Sequence, residues 1–409
     1  QVSVWKHCIM WKLLVAVAAG VPTPACRTSS GFDPQAFTLQ KRPVNDSAAV
    51  CNDGSQAQLY FRPCCNGETA GDFCNESAPV WLVVFGDGNA DGWCWDAESC
   101  DRRFREYPAL SSSSALSQTF NRSGFTWQSE VGAFSKGGEV NQNFYKSYAA
   151  YIPSCSSDLF LGKCEGSEAD ESGPKFCGKT IAKAAIRNLL PEINHYGAAQ
   201  IILVGGAGIM TYISELAAML PTTAVVSAVC DGCAIQGLGK SEAADSDCSD
   251  SDSCAPDTTL SLGVPLWRSD LPASCGGWEC LLSKPSDGLI QRAAGQVPLL
   301  VQQPLYDAKV FTRAKISLTN ATFAAGLRNR TLEAVAGAKV VLGSACSGPE
   351  SSFTHGEFFN VTFGGGIPPL SFASALYKLL HDQQDSAIVD SCQGVDCNPT
   401  CLGSQLTLI

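Results

Sequence analysis

Short runs of β-branched and aliphatic residues recur along this chain, separated by stretches with helical periodicity. Six runs predict buried strands of the parallel-sheet kind: Val80–Phe85 (VWLVVF), Tyr148–Pro153, Ile201–Val204, Ala224–Val229, Pro298–Gln303 and Lys339–Leu342. In Lys179–Leu190, the residues Ile181, Ala184, Ala185 and Leu189 fall on one helical face. A second helix is predicted from Ile209, Tyr212, Ile213, Leu216, Ala217 and Leu220, and Pro221 stops it. Leu370–Leu380 reads as a closing helix. Strands alternating with helices predict an α/β fold: one mostly parallel central sheet covered by helices on both faces. No internal repeat interrupts the pattern.

The segment Gln200–Leu220 organises the rest. Its strand runs into Gly205, Gly206 and Gly208, which allow a turn too tight for most side chains. A strand, a sharp glycine turn and a helix form the setting in which a hydrolase presents its nucleophile. Neither serine, cysteine nor aspartate stands in the turn. Val80–Phe85 runs into a second glycine-rich loop, which ends at Gly92-Trp93-Cys94. A loop directly after a core strand lies at the usual ligand-binding end of such a sheet.

Composition narrows the partners. The 409 residues include 45% hydrophobic ones, ample for a large core. Lys and Arg number 28 against 39 Asp and Glu, a net charge of −11, with no basic stripe. That argues against nucleic acid and anionic membranes as partners. Twenty-one cysteines without paired zinc spacing predict disulfide-rich loops in an oxidising compartment. The CxxC pair Cys230 and Cys233 has no second half, so it reads as a disulfide and not a metal or redox site. The acidic stretch around residues 240–257 lacks calcium-loop spacing and reads as a surface loop. No metal and no cofactor is implied.

Lys6 and Lys12 precede the apolar run Leu13–Val21, and small residues follow at Thr23-Pro24-Ala25. That pattern predicts a signal peptide over residues 1–25 and export. Beyond it come a cysteine-rich leading segment at 26–79 beside the sheet, the main domain at 80–385 and a cysteine-containing tail at 386–409. No later segment approaches a membrane span. Six sequons, at Asn45, Asn75, Asn121, Asn320, Asn329 and Asn360, predict a secreted glycoprotein.

An ordered set of short motifs resembles the pectin acetylesterase and Notum family of secreted carboxylesterases. It comprises Gly92-Trp-Cys94 with Cys100-Asp-Arg-Arg, Ile152-Pro-Ser-Cys-Ser-Ser-Asp158 and the glycine turn. It continues through Cys230-Asp-Gly, Cys275-Gly-Gly-Trp-Glu-Cys280, Leu305-Tyr-Asp307 and Ser344-Ala-Cys346. The resemblance implies an α/β-hydrolase-like domain and ester cleavage by a Ser–Asp–His triad. It places Gly206 at the nucleophile position, Asp307 at the acid position and Pro349 at the histidine position. His355 is near enough in sequence to substitute. Backbone N–H groups of Gly92, Trp93 and Ala207 would be the oxyanion donors. Glycine carries no atom that attacks a carbonyl.

Three functions follow as expectations. One is a binding or structural pseudoenzyme whose partners are a glycan, an acylated ligand or an extracellular protein. The second is an active serine carboxylesterase with a relocated nucleophile, Ser214 or Ser227, working with His355 and Asp307. The third is a structural subunit of an extracellular glycoprotein assembly.

Overall fold

A computed structural model describes residues 27–28, 31–32, 39–62, 78–86, 92–118, 144, 147–164, 173–238, 253–282, 288–343, 362–363, 370–381 and 387–389. β1 (Arg27–Thr28) and β2 (Gly31–Phe32) pair as a small antiparallel ribbon. The main sheet is built from β3 (Gln40–Pro43), β4 (Gln58–Arg62), β5 (Val80–Phe85), β6 (Tyr148–Ile152), β7 (Gln200–Gly205), β8 (Val225–Asp231), β9 (Leu299–Pro304), β10 (Lys339–Gly343) and β13 (Ala387–Val389). A second ribbon joins β11 (Thr362–Phe363) to β12 (Leu370–Ser371). The nine strands lie in the order β13-β10-β9-β8-β7-β5-β6-β4-β3, and neighbours are parallel except for the antiparallel pairs β6–β4 and β4–β3.

The predicted central strands all form, because each is an apolar run buried on both faces. The leading segment differs from expectation. It was placed beside the sheet, yet β3 and β4 belong to the sheet itself. An aromatic row explains the attachment. Trp81 of β5 stacks on Tyr148 of β6 at 4.7 Å and on Phe61 of β4 at 5.9 Å. Arg42 of β3 lies 4.4 Å from the Phe61 ring centroid and pairs with Glu192. The tail likewise adds the parallel strand β13 at the far edge.

Nine α-helices are described: α1 (Ala97–Glu106), α2 (Gly178–Tyr196), α3 (Ala207–Thr211), α4 (Ile213–Ala218), α5 (Pro256–Leu266), α6 (Leu289–Ala294), α7 (Ala308–Ala314), α8 (Ala321–Ala334) and α9 (Phe372–His381). The β5–β6 connection, which carries α1, runs one way across the sheet. The β6–β7 connection, which carries α2, steps back over β5. Right-handed crossovers therefore put α1 and α2 on opposite faces. The strand order reverses at the β5/β7 pair, the place where such sheets open a crevice at their carboxyl edge.

The predicted helix over 209–220 is two pieces. Tyr212 breaks it, at φ −132 and ψ 27. Its ring is buried and its hydroxyl donates to the Phe160 carbonyl at 2.8 Å. That tertiary bond holds the chain out of helical geometry. Helix α2 runs past its predicted end and through Pro191, because Glu192 and Ile193 beyond it are buried.

The loop after β6 locks these pieces together. Asp158 is fully buried, and its carboxylate accepts four hydrogen bonds. Ser156 Oγ donates at 2.9 Å, Phe160 N at 3.0 Å, Gly162 N at 3.1 Å, and Gly178 N, in the first turn of α2, at 2.8 Å. Ser157, Leu159, Phe160 and Cys164 all take positive φ, between 47° and 66°. Each such conformation costs on the order of 1 kcal/mol for a residue with a side chain, so the surroundings must enforce it. The disulfides Cys51–Cys155 and Cys164–Cys177 hold both ends of the loop. Gly208 of α3 packs so closely that a Cβ there would overlap the Leu159 carbonyl. Further disulfides join Cys94–Cys100, Cys230–Cys233 and Cys275–Cys280. No helix among the described residues is long and apolar enough to cross a membrane.

Two outcomes are expected. Gly208→Ala should lower stability by more than about 2 kcal/mol, because backbone and not a flexible side chain opposes the new methyl; chemical denaturation measures it. Burial, working against the four hydrogen bonds, pushes the Asp158 carboxyl up from 3.8 to about 6. The folded chain therefore holds this proton where the unfolded chain has lost it. The group's contribution is fully present below about pH 4 and lost as pH rises to about 6, then constant. The stability advantage of wild type over Asp158→Asn should shrink over that window and stay level above it.

Candidate functional site

Described segments that follow β5, β7 and β9 lie at the carboxyl edge of the sheet, beginning at Gly92, Gly206 and Leu305. The loop after β7 holds Gly206, which the sequence resemblance sets at the nucleophile position. Gly206 is buried and caps α3 with φ −82 and ψ −168, an extended conformation open to any residue. The backbone strain characteristic of a nucleophile turn is absent at this residue. Ala207 follows, fully buried, at the start of α3.

The segment after β5 is fixed from several sides. Trp93 is buried and forms a β-bridge with Asp158, in which Cys94 N donates to Ser157 O at 3.1 Å. Trp267 Nε1 donates to Cys94 O at 2.7 Å. The Arg313 guanidinium lies 5.8 Å from the Trp93 ring centroid. Asp96 then caps α1 by accepting from Ser99 N at 2.7 Å. Gly92, at φ 64, supplies the turn into Trp93.

After β9, Asp307 is 4% exposed. Its Oδ1 accepts from Lys309 N at 2.9 Å and so caps α7. Helix α7 also carries Arg313, so the acid position and Trp93 are linked through one helix.

Pro349 and His355 lie outside the described residues, as do Asn75, Asn121 and Asn360. The two described histidines sit far from this edge. His195 ends α2 just before β7 begins, and His381 ends α9 just before β13. Both are therefore at the amino edge of the sheet. The alternative nucleophiles are also remote. Ser227 is paired with Ile202 in mid-strand, four residues before the end of β8, or about 13 Å away. Ser214 lies on α4, beyond the break at Tyr212. Asn45, Asn320 and Asn329 are exposed.

The register brings in polar residues that the sequence did not single out as a site. Gly205 pairs with Cys230, so Gly206 sits one step past the last rung, beside Asp231. Asp231 pairs in turn with Gln302, and paired residues of parallel strands project to the same face. All three are buried. Gln302 Oε1 has no hydrogen-bond partner, whereas Gln303 Oε1 accepts from Ala234 N at 2.9 Å. A polar residue closing an apolar strand run was the available signal. No cluster of three or more metal-ligating side chains occurs among the described residues.

A family model for pectinacetylesterase matches residues 33–237. Palmitoleoyl-protein carboxylesterase notum1a of Danio rerio is 25% identical over 396 residues, covering 88% of this chain and 71% of that protein. The human palmitoleoyl-protein carboxylesterase NOTUM is 26% identical over 393 residues, covering 87% and 71%. Notum2 of Xenopus laevis is 29% identical over 278 residues, covering 64% and 51%. The structure of the Wnt deacylase Notum from Drosophila superposes with a TM-score of 0.68 at 20% identity, over 89% of this chain and 99% of that one. That likeness shows an α/β-hydrolase-like fold, as the sequence predicted. With half its length matched by the family model and its fold shared, this chain belongs to the pectinacetylesterase family.

Proposed function

We propose that this chain is a secreted, glycosylated family member that binds an acylated glycan or acyl-protein without cleaving it. The observation that carries the reading is Gly206. It occupies the elbow between β7 and α3, and no hydroxyl or thiol belongs to residues 205–208. A serine hydrolase that loses its nucleophile keeps only the residual help of its oxyanion donors. Ser227 and Ser214 cannot replace it from mid-strand and from beyond Tyr212. Asp307 keeps a structural task as the cap of α7, which accounts for a carboxylate at that position without catalysis.

Binding is supported by what surrounds the gap. Gly92, Trp93 and Ala207 sit on rigidly held backbone at the crevice. Asp231 and Gln302 add buried polar groups next to it. The unsatisfied Gln302 oxygen suits a ligand hydroxyl or amide N–H. The relatives' names point to the ligand class: a pectin-type acetyl ester or an acylated protein. The leader-like sequence pattern over 1–25, the five disulfides among described residues and the three exposed sequons among them support export.

A fluorophosphonate probe tests the chemistry. Wild type should show no stoichiometric covalent label under conditions that label an active serine esterase. A labelled serine whose replacement by alanine abolishes the signal would overturn the reading in favour of an active carboxylesterase. Calorimetric titration with acetylated pectin oligomers and with an O-acylated peptide tests binding. Gln302→Ala should weaken the ligand that binds about tenfold, the worth of one buried hydrogen bond.

A further inference from the structure

Away from the crevice, one groove runs along α8. Its ≈ 440 Å³ is lined by Ile316, Asn320, Thr322, Phe323, Gly326 and Arg330. Four of these, Asn320, Phe323, Gly326 and Arg330, recur at helical spacing along one stripe. We infer that this groove seats an N-linked glycan carried on Asn320, an inference that rests on the export reading above.

Asn320 and Thr322 are the two chemically required residues of the sequon, and both are exposed and line the groove. Asn320 Oδ1 accepts from Phe323 N at 2.9 Å and caps α8. That bond uses the oxygen and leaves the amide nitrogen, the attachment atom, out of it. In the transfer, Nδ2 bonds to C1 of the first sugar of a polyprenyl-pyrophosphate oligosaccharide. The C1–O bond to pyrophosphate breaks, and Nδ2 loses one proton. The cap survives the modification because Oδ1 takes no part in it.

The groove's chemistry suits a sugar. Phe323 offers a ring next to the attachment point, and the Arg330 guanidinium lies 5.6 Å from that ring's centroid. Apolar faces of hexosamine rings pack on aromatic rings, and their hydroxyls accept from guanidinium donors. Gly326 is the second observation. A glycine inside a helix is less favourable than alanine. Among the described residues outside its own helix backbone, nothing lies within 4 Å of where its Cβ would be, and its φ is not positive. Neither a packing neighbour among the described residues nor a positive φ accounts for a glycine here. A bare floor for an attached sugar does.

The test uses the full chain secreted from a eukaryotic host. Peptide mass mapping should find Asn320 occupied. Enzymatic release of the glycan converts Asn320 to Asp, which still caps α8, and should lower Tm by about 2 °C. Trimming to a single sugar should retain most of that difference. Gly326→Leu, which fills the floor, should remove the glycan's increment while leaving the unglycosylated chain as stable or more so. Hydrogen exchange over residues 321–331 should slow when the glycan is present. An unoccupied Asn320 overturns the inference together with the glycosylation part of the export reading. An occupied Asn320 whose removal changes neither Tm nor exchange overturns the seat alone.

Discussion

The buried Asp158 carboxylate is the constraint on which the site's geometry depends. Its four donors come from its own loop and from the first turn of α2. Those bonds keep Ser157, Leu159 and Phe160 in left-handed backbone that would otherwise relax. The held loop then touches both halves of the crevice. It bridges Trp93 and Cys94 on one side and abuts Gly208 and Tyr212 on the other. Removing one partner of a buried charge leaves N–H groups stranded out of water, which is costlier than never having placed the charge there. The loop is therefore determined by polar satisfaction where the sheet beneath it is determined by apolar burial.

That division explains what could be read from the chain. Strands such as Val80–Phe85 and Leu299–Pro304 announce themselves because burial on both faces demands an unbroken apolar run. Strands β3 and β4 do not. Gln40–Pro43 (QKRP) is an edge strand, partly exposed, held by Arg42 against Phe61 and Glu192. Contacts that far apart in sequence leave no local pattern. The break at Tyr212 in the predicted helix leaves no local trace for the same reason, since the periodicity is intact and only the bond to Phe160 interrupts it. Helices α1 and α8 are amphipathic or polar enough to pass for loop, and their caps, Asp96 and Asn320, were the signals available.

At the carboxyl edge the chain announces where its loops turn and less of what their side chains do. The glycine turn and the Trp93 loop stand at the crevice, and Asp307 is buried at the end of β9. Asp231 and Gln302 were hidden because their proximity to Gly206 is a matter of strand register. A single-residue change in pairing would send them to the other face. Only the assembled sheet fixes that choice.

The relaxed backbone at Gly206 bears on how such a site persists. A nucleophile turn holds strain so that its hydroxyl points out of the sheet, and the strain has a use only while chemistry follows. Here φ −82 and ψ −168 store none. Yet Gly208 still fits against Leu159, and Trp93 still sits between Asp158 and Arg313. These features pack, and holding a ligand in place would require them as much as cleaving one would. A serine restored at this position would meet no imposed strain and, among the described residues, no imidazole at its edge of the sheet. The packing of the crevice is thus separable from its reactivity, and the fold can retain the first without the second.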